Sequence, residues 1–264
     1  MKTIRSGDAT IAYEVLGKGA PVVLLHPFPV HHEFWLPAGQ ALLEQYSLVI
    51  PDLRAHGDSD AGDGPVTMAK YAQDLARILD EEGIRRAAFA GVSIGGYALF
   101  EFWRRHRERI SALALFNTKG QADTAEARAS RLQAAAGVLE RGTEQFFQSM
   151  TSKLMGTTMY SLRPDLVEGA LRMMRKASPE DISAIQKGMA ERPDSVETLK
   201  QINAPTLVVT GDEDVMTGLA EAELLHRHIA GSQLKVISRA GHYSPWERPE
   251  DAGVILRDFL RSVR

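Results

Sequence analysis

Several short runs in this chain are apolar without alternating: PVVLLH (21–26), SALALF (111–116) and TLVVTG (206–211). A strand with one wet face alternates polar and apolar residues, whereas one covered on both faces does not. TIAYEVL (10–16), YSLVIPD (46–52), the run into Gly91 and LKVIS (234–238) extend the series of strands. Between them, Met68, Tyr71, Ala72, Leu75, Ile78 and Leu79 recur at helical spacing, as do Ala252, Ile255, Leu256, Phe259 and Leu260 near the end. Strands alternating with helices predict the α/β class, a mostly parallel central sheet flanked by helices on both faces.

Residues 119–200 break the rhythm, with no strand and a succession of windows rich in Ala, Met, Leu and Arg. Pro164, Pro179 and Pro193 punctuate them, and SPED (178–181) and RPDSVE (192–197) carry helix-start signals. The expected organisation is an α/β core of residues 1–118 and 201–264, with 119–200 a helical cap inserted between the sixth and seventh strands. Open α/β sheets bind ligands at the carboxyl ends of their strands, the edge such a cap would cover. The alternative is extra helices packed on the outer face.

Composition excludes several function classes. A formal net charge of −3 across 264 residues gives no case for a nucleic-acid or membrane partner. The chain has no cysteine, so thiolate metal sites and a cysteine nucleophile are ruled out. The segment MKTIRSGDAT has no apolar core of a secretory leader and no run approaches bilayer-spanning length, so a cytoplasmic location is expected. The oligomeric state is not legible.

The chemistry centres on GVSIG (91–95), placed where strand periodicity gives way to helix. Glycines two residues either side of Ser93 suggest a turn too sharp for a Cβ at either position, with the serine held strained and exposed. A serine hydroxyl is a weak nucleophile at neutral pH, so it needs a base in reach and a third group to orient that base. The order serine, acid, histidine predicts an acid just past a later strand and a histidine near the C-terminus. GDEDVMT (211–217) follows TLVVT and offers Asp212, Glu213 and Asp214; RAGHYSPWERPE (239–250) follows LKVIS and offers His242. A lone G-x-S-x-G is weak, but three matches in order at strand ends are strong.

In these motifs the chain resembles the α/β-hydrolase superfamily over essentially its whole length, most closely the carboxylesterases, enol-lactonases and cofactor-free haloperoxidases. The resemblance implies G-x-x-D for the acid, which selects Asp214 over Asp212, and assigns the G-H histidine to His242. It also implies an oxyanion hole from the backbone N–H groups of Ile94, after the nucleophile, and of Phe28, in His26-Pro27-Phe28. Pro27 stands where the family usually has glycine and has no N–H to give. Ala55 replaces the first glycine of D-x-R-G-x-G-x-S, in a segment expected to be a structural turn. The activity implied is cleavage of a carboxylic ester with a small to medium acyl group, through an acyl-enzyme and without metal or cofactor. Lactone hydrolysis, perhydrolysis and hydroxynitrile cleavage can run on the same triad. A slow-turnover small-molecule receptor is the reading from another class. Dehalogenases and epoxide hydrolases are disfavoured because they have Asp where this chain has Ser93.

Other polar residues have blander readings. His26 is expected to shape the oxyanion loop, and Asn117 cannot serve as a triad acid. His31 and His32 are adjacent and lack a spaced carboxylate, so they are expected to be surface or loop residues and not metal ligands; His56 and His106 are expected to be exposed. Of the methionines in 119–200 (150, 155, 159, 173, 174 and 189), most are expected to pack helix against helix. Met150 and Met155, with Phe28 and Trp246, are the candidates for the substrate pocket. Arg131, Arg163, Arg172 and Arg175 could bind a substrate carboxylate or simply cover solvated helix faces.

Overall fold

A computed structural model describes residues 1–263. Its strands form one eight-stranded sheet in the order β1-β2-β4-β3-β5-β6-β7-β8. They are β1 (Lys2–Ser6), β2 (Ala9–Gly17), β3 (Ala20–Leu25), β4 (Tyr46–Pro51), β5 (Ala87–Val92), β6 (Ile110–Phe116), β7 (Thr206–Gly211) and β8 (Gln233–Ile237). The pairs β1–β2 and β2–β4 are antiparallel and all others parallel. Every residue of β5 and β7 is buried, as their unbroken apolar runs require. The edge strand β8 exposes Lys235 and Val236, the charge blunting an otherwise open edge. β1 is an addition to the expected series; its alternation of exposed residues with buried Ile4 and Ser6 is the mark of a strand with one wet face.

Right-handed crossovers assign the faces. The step β3 to β4 runs toward the β1 edge, whereas β4 to β5 and β5 to β6 run the other way, so their helices lie on opposite faces. Accordingly Met68–Glu81 packs on Ile94–His106, while Leu36–Gly39 packs on Pro249–Ser262.

Between β6 and β7 the chain is helical: Ala125–Arg141, Glu144–Leu154, Thr157–Leu162, Pro164–Met174, Pro179–Ala190 and the short Val196–Leu199. The signal at SPED is a full capping box: Ser178 Oγ accepts from the Asp181 N–H, and the Asp181 carboxylate accepts from the Ser178 N–H. This layer is bonded to the core away from its ends as well. Val66 N–H donates to Ala184 O at 3.0 Å, and Tyr243 N–H to Leu154 O at 2.9 Å. No helix among the described residues is long and apolar enough to cross a membrane.

The turn 52–60 is structural, as expected. Arg54, almost fully buried, forms a two-pronged pair with Asp74 at 2.9 and 2.7 Å, also bonds Asp8, and donates to Ser6 O at 2.9 Å. Ala55 takes a left-handed φ of 64°, a conformation that favours glycine.

Candidate active site

β5 delivers the chain to Ser93 at φ 54° and ψ −112°, a region costing a non-glycine residue about 1–3 kcal/mol. Both flanking glycines are explained by contact. A Cβ on Gly91 would meet Gly95 C at 2.7 Å, and one on Gly95 would meet Leu25 O of β3 at 2.8 Å. The turn is held on every side: Ser93 N–H donates to Phe116 O at 3.0 Å, and Ser93 O accepts from Gly96 N, Tyr97 N and Thr118 Oγ1.

Asp214 and His242 come together from the ends of β7 and β8. His242 Nδ1 lies 3.0 Å from Asp214 Oδ2 and 3.2 Å from Oδ1, with both side chains almost wholly buried. With Nδ1 engaged, Nε2 is the ring nitrogen left for the cleft that His242 and Ser93 both line. Asp214 also accepts from Met216 N–H, Thr217 N–H, Thr217 Oγ1 and Asn117 Nδ2, at 2.7, 3.0, 2.9 and 2.8 Å. Burial opposes its ionisation, but the interaction with His242 and these donors outweigh it and hold the carboxyl well below the usual range. The competitor, Asp212, is turned elsewhere, accepting from Ser238 Oγ and from Arg239 N–H and Ala240 N–H in the turn toward His242.

Three further residues brace this pair and its loop, and no sequence motif marks them. Asn117 is no acid, but it donates to both Asp214 and Gly241 O and accepts from Ser244 Oγ. Glu247 accepts from the N–H groups of Gly241 and Tyr243, on either side of His242, and from Gly156 in the helical layer. Burial pushes its carboxyl up to about 7 against these donors. Tyr243 donates its hydroxyl to Phe28 O at 2.8 Å, joining the histidine loop to the loop after β3. The sequence signals were slight: a residue just past β6, and polar residues within five positions of His242.

In that loop His26 is wholly buried and shapes it as expected. Leu53 N–H donates to Nε2, so Nδ1 carries the proton and donates to Pro27 O, both at 2.9 Å. Burial and nearby His56 hold the ring well below its ordinary pKa, so it is neutral. Among the described residues Phe28 N–H has no protein acceptor. Ile94 N–H opens the helix Ile94–His106, where helical geometry leaves it unpaired.

The cleft, a cavity of about 70 Å³, is lined by Phe28, Met150 and Leu154 with Ser93 and His242, as well as by residues of the core and the helical layer. Two pocket expectations are corrected. Met155 is buried outside the lining, where Leu154, one residue earlier, takes its place. Trp246 turns away: its Nε1 donates to Leu166 O at 3.0 Å and its ring stacks on Phe34, because it sits on the short helix Ser244–Glu247 against Pro164–Met174.

The histidine expectations also change. His31, His32 and His56 are buried, and His106 is half-buried against Phe102. His32 Nδ1 pairs with Asp52 Oδ1 at 2.6 Å, and the donor atoms of His31, His32 and Asp52 lie within 4.8 Å of one another. The carboxylate missing from the local sequence is supplied across the fold. Both Asp52 oxygens already accept bonds, from His32 N–H and Asp58 N–H besides the ring, which suits a hydrogen-bonded core cluster. Of the arginines, Arg131 lines the cleft, whereas Arg172 is exposed, Arg163 pairs with Asp165, and Arg175 pairs with Glu144 and Glu168.

Comparison with known proteins agrees with this architecture. The sequence profile of the alpha/beta hydrolase fold family matches residues 20–249. The chain is 28% identical over 275 residues to 3-oxoadipate enol-lactonase 1 of Acinetobacter baylyi, covering all of this chain and 97% of that one. Among solved structures, a thermophilic esterase from Thermogutta terrifontis, with malate bound, superposes with a TM-score of 0.96 at 33% identity, covering 100% of this chain and 99% of the other. The enol-lactonase from Burkholderia xenovorans shares the fold at a TM-score of 0.92 and 23% identity, over 98% of this chain and all of that one. With the profile spanning most of its length, the chain belongs to the α/β-hydrolase superfamily, in its esterase and lactonase branch.

Proposed function

We propose that this α/β-hydrolase cleaves carboxylic esters of small to medium acyl chains through an acyl-enzyme on Ser93. The observation that carries the reading is the pairing of His242 with a firmly ionised Asp214, its Nε2 left for the cleft that Ser93 lines. His242 takes the Ser93 proton as the hydroxyl attacks the ester carbonyl, while Asp214 fixes the ring tautomer and stabilises the imidazolium. The N–H groups of Phe28 and Ile94 receive the developing oxyanion, each contributing about 3 kcal/mol by analogy with other acyl-transfer sites. His242 then protonates the leaving alcohol and activates the water that releases the acid. Phe28, Met150, Leu154 and Met189 give the acyl chain an apolar surface, with the helices of 119–200 acting as a cap. Lactone hydrolysis on the same groups is the second reading, favoured by the similarity to the Acinetobacter enol-lactonase.

Steady-state hydrolysis of p-nitrophenyl esters of increasing acyl length, on the wild type and Ser93→Ala, tests the proposal. Ready turnover that is lost in the variant supports it. Turnover unchanged in Ser93→Ala contradicts it. No turnover of any ester by the folded wild type, with hydrolysis of lactones, shifts it to the second reading.

A further inference from the structure

The cleft beside Ser93 is lined unevenly by charge: Lys119 and Arg131 face it, and among the described residues no carboxylate does. Arg131 donates Nε to Asp123 and Nη1 to Gln186 Oε1 at 3.2 Å, while its Nη2 donates to no protein atom among the described residues. Lys119 Nζ stands 3.8 Å from Asp123 Oδ1, beyond hydrogen-bond reach. The same carboxylate is counter-ion to Arg192, whose Nη1 is 2.7 Å from Asp123 Oδ1 and whose guanidinium lies 4.3 Å over the ring of Tyr97, itself a cleft residue. Glu221 adds the second negative charge acting on this neighbourhood, so three cations share two carboxylates. Burial, reinforced by the charge of Arg192, pushes the Lys119 pKa below its ordinary value, as befits an under-compensated ammonium.

Positive charge drawn out of water is costly unless paired. Arg192 is almost fully buried and holds Asp123 at 2.7 Å, whereas Lys119 reaches the same carboxylate only at 3.8 Å and makes no hydrogen bond among the described residues. Arg131 and Lys119 together offer what a carboxylate takes: a guanidinium N–H for a directed, charge-assisted bond, and a mobile ammonium beside it.

The geometry points to an anion subsite: the ester or lactone taken at Ser93 carries a free carboxylate, bound by Arg131 Nη2 and Lys119 Nζ. This inference rests on the hydrolase reading and names its substrate class. The apolar lining then holds the carbon chain between the carboxylate and the reacting carbonyl.

Two substrate pairs test it. Mono-p-nitrophenyl glutarate against p-nitrophenyl pentanoate places the charge on the acyl side, and 4-acetoxybenzoate against phenyl acetate places it on the leaving group. The ratio of kcat/KM, charged over neutral, is measured on the wild type, on Lys119→Met/Arg131→Gln, and on Arg163→Gln, an exposed arginine outside the cleft. The expected result is that one pair favours the charged member by roughly 10- to 100-fold, the range of one charged hydrogen bond. That ratio should collapse in the double variant, shrink with added salt, and persist in Arg163→Gln. No charged preference in either pair, or a preference that survives in the double variant, overturns the inference. Should the double variant not fold, Lys119→Met alone leaves Asp123 its two arginines and serves instead. A thermal-shift titration with glutarate reads the subsite without turnover: it should stabilise the wild type and not the variant. No shift of the wild type overturns the inference even where neutral esters are hydrolysed, whereas a shift without ester hydrolysis counts against the hydrolase reading alone.

Discussion

Asn117→Ala is the substitution whose cost follows most directly from the geometry around Asp214. The side chain is wholly buried and holds three partners, the Asp214 carboxylate at 2.8 Å, Gly241 O at 3.1 Å and Ser244 Oγ at 2.5 Å. Losing a bond to a charged buried group costs about 1.5–3 kcal/mol, and each neutral group left unpaired adds about 1 kcal/mol or more. Asn117 also sits at φ 43°, in the left-handed region that Asn tolerates better than Ala. A loss of about 4 kcal/mol follows, equivalent to a fall in Tm of roughly 8–16 °C for a chain of this size. Calorimetry measures it directly. Catalysis should suffer less than in Asp214→Asn, because Met216, Thr217 and His242 still hold the carboxylate. In Asn117→Asp two carboxyls would lie side by side, so one must hold a proton, and kcat should fall further than in the alanine variant. A drop in Tm below about 2 °C with kcat unchanged in both variants would mean that Asn117 holds none of these partners, since on that scale no buried bond has been lost.

Asp214→Asn should lower kcat by roughly 10³- to 10⁴-fold while Asp212→Asn, whose carboxylate serves a turn, costs far less; the reverse order in steady-state assays would move the acid. A methyl on Gly188 would overlap the Val66 carbonyl and come within 3.0 Å of Thr67 N. Gly188→Ala should therefore lift the helix Pro179–Ala190, destabilise by about 1–3 kcal/mol in urea unfolding, and shift acyl-length preference through the neighbouring Met189. Two buried groups give pH signatures of opposite sign. Burial lowers His56 from 6.5 to about 4, so the unfolded chain takes the proton first, and stability present above 6.5 is lost as pH falls toward 4. Glu247, raised from 4.5 to about 7, contributes stability below 4.5 that is lost as pH rises through 7. Each swing is worth about 3 kcal/mol, so His56→Phe should flatten the acid side and Glu247→Gln the neutral side of the urea-midpoint profile; profiles parallel to wild type would contradict both assignments.

What was legible in the sequence was legible because it is local. Unbroken apolar runs report burial on both faces, the glycines around Ser93 report a tight turn, and Ser178 with Asp181 reports a helix start. What was not legible depends on partners far along the chain. Asn117 meets Asp214 and Gly241 at separations of 97 and 124 residues, and no neighbour of Asn117 announces either. His32 is buried because Asp52, 20 residues on, is brought to it by β4. Trp246 and Met155 show the limit of adjacency: neither standing four residues past His242 nor falling beside Leu154 in the helical layer decides which way a ring or thioether points. Lys119 is a single lysine past β6 in the sequence, and acquires meaning only when Arg131 and Arg192 converge on Asp123 beside it.

Covalent capture reports directly on Ser93 as the nucleophile. The protein is treated with diethyl p-nitrophenyl phosphate, followed by intact mass and peptide mapping. One diethylphosphoryl adduct per chain is expected, on Ser93, absent from Ser93→Ala and formed far more slowly in His242→Ala. An adduct on another residue, or a wild type that stays unlabelled while it still turns over esters, would contradict that role.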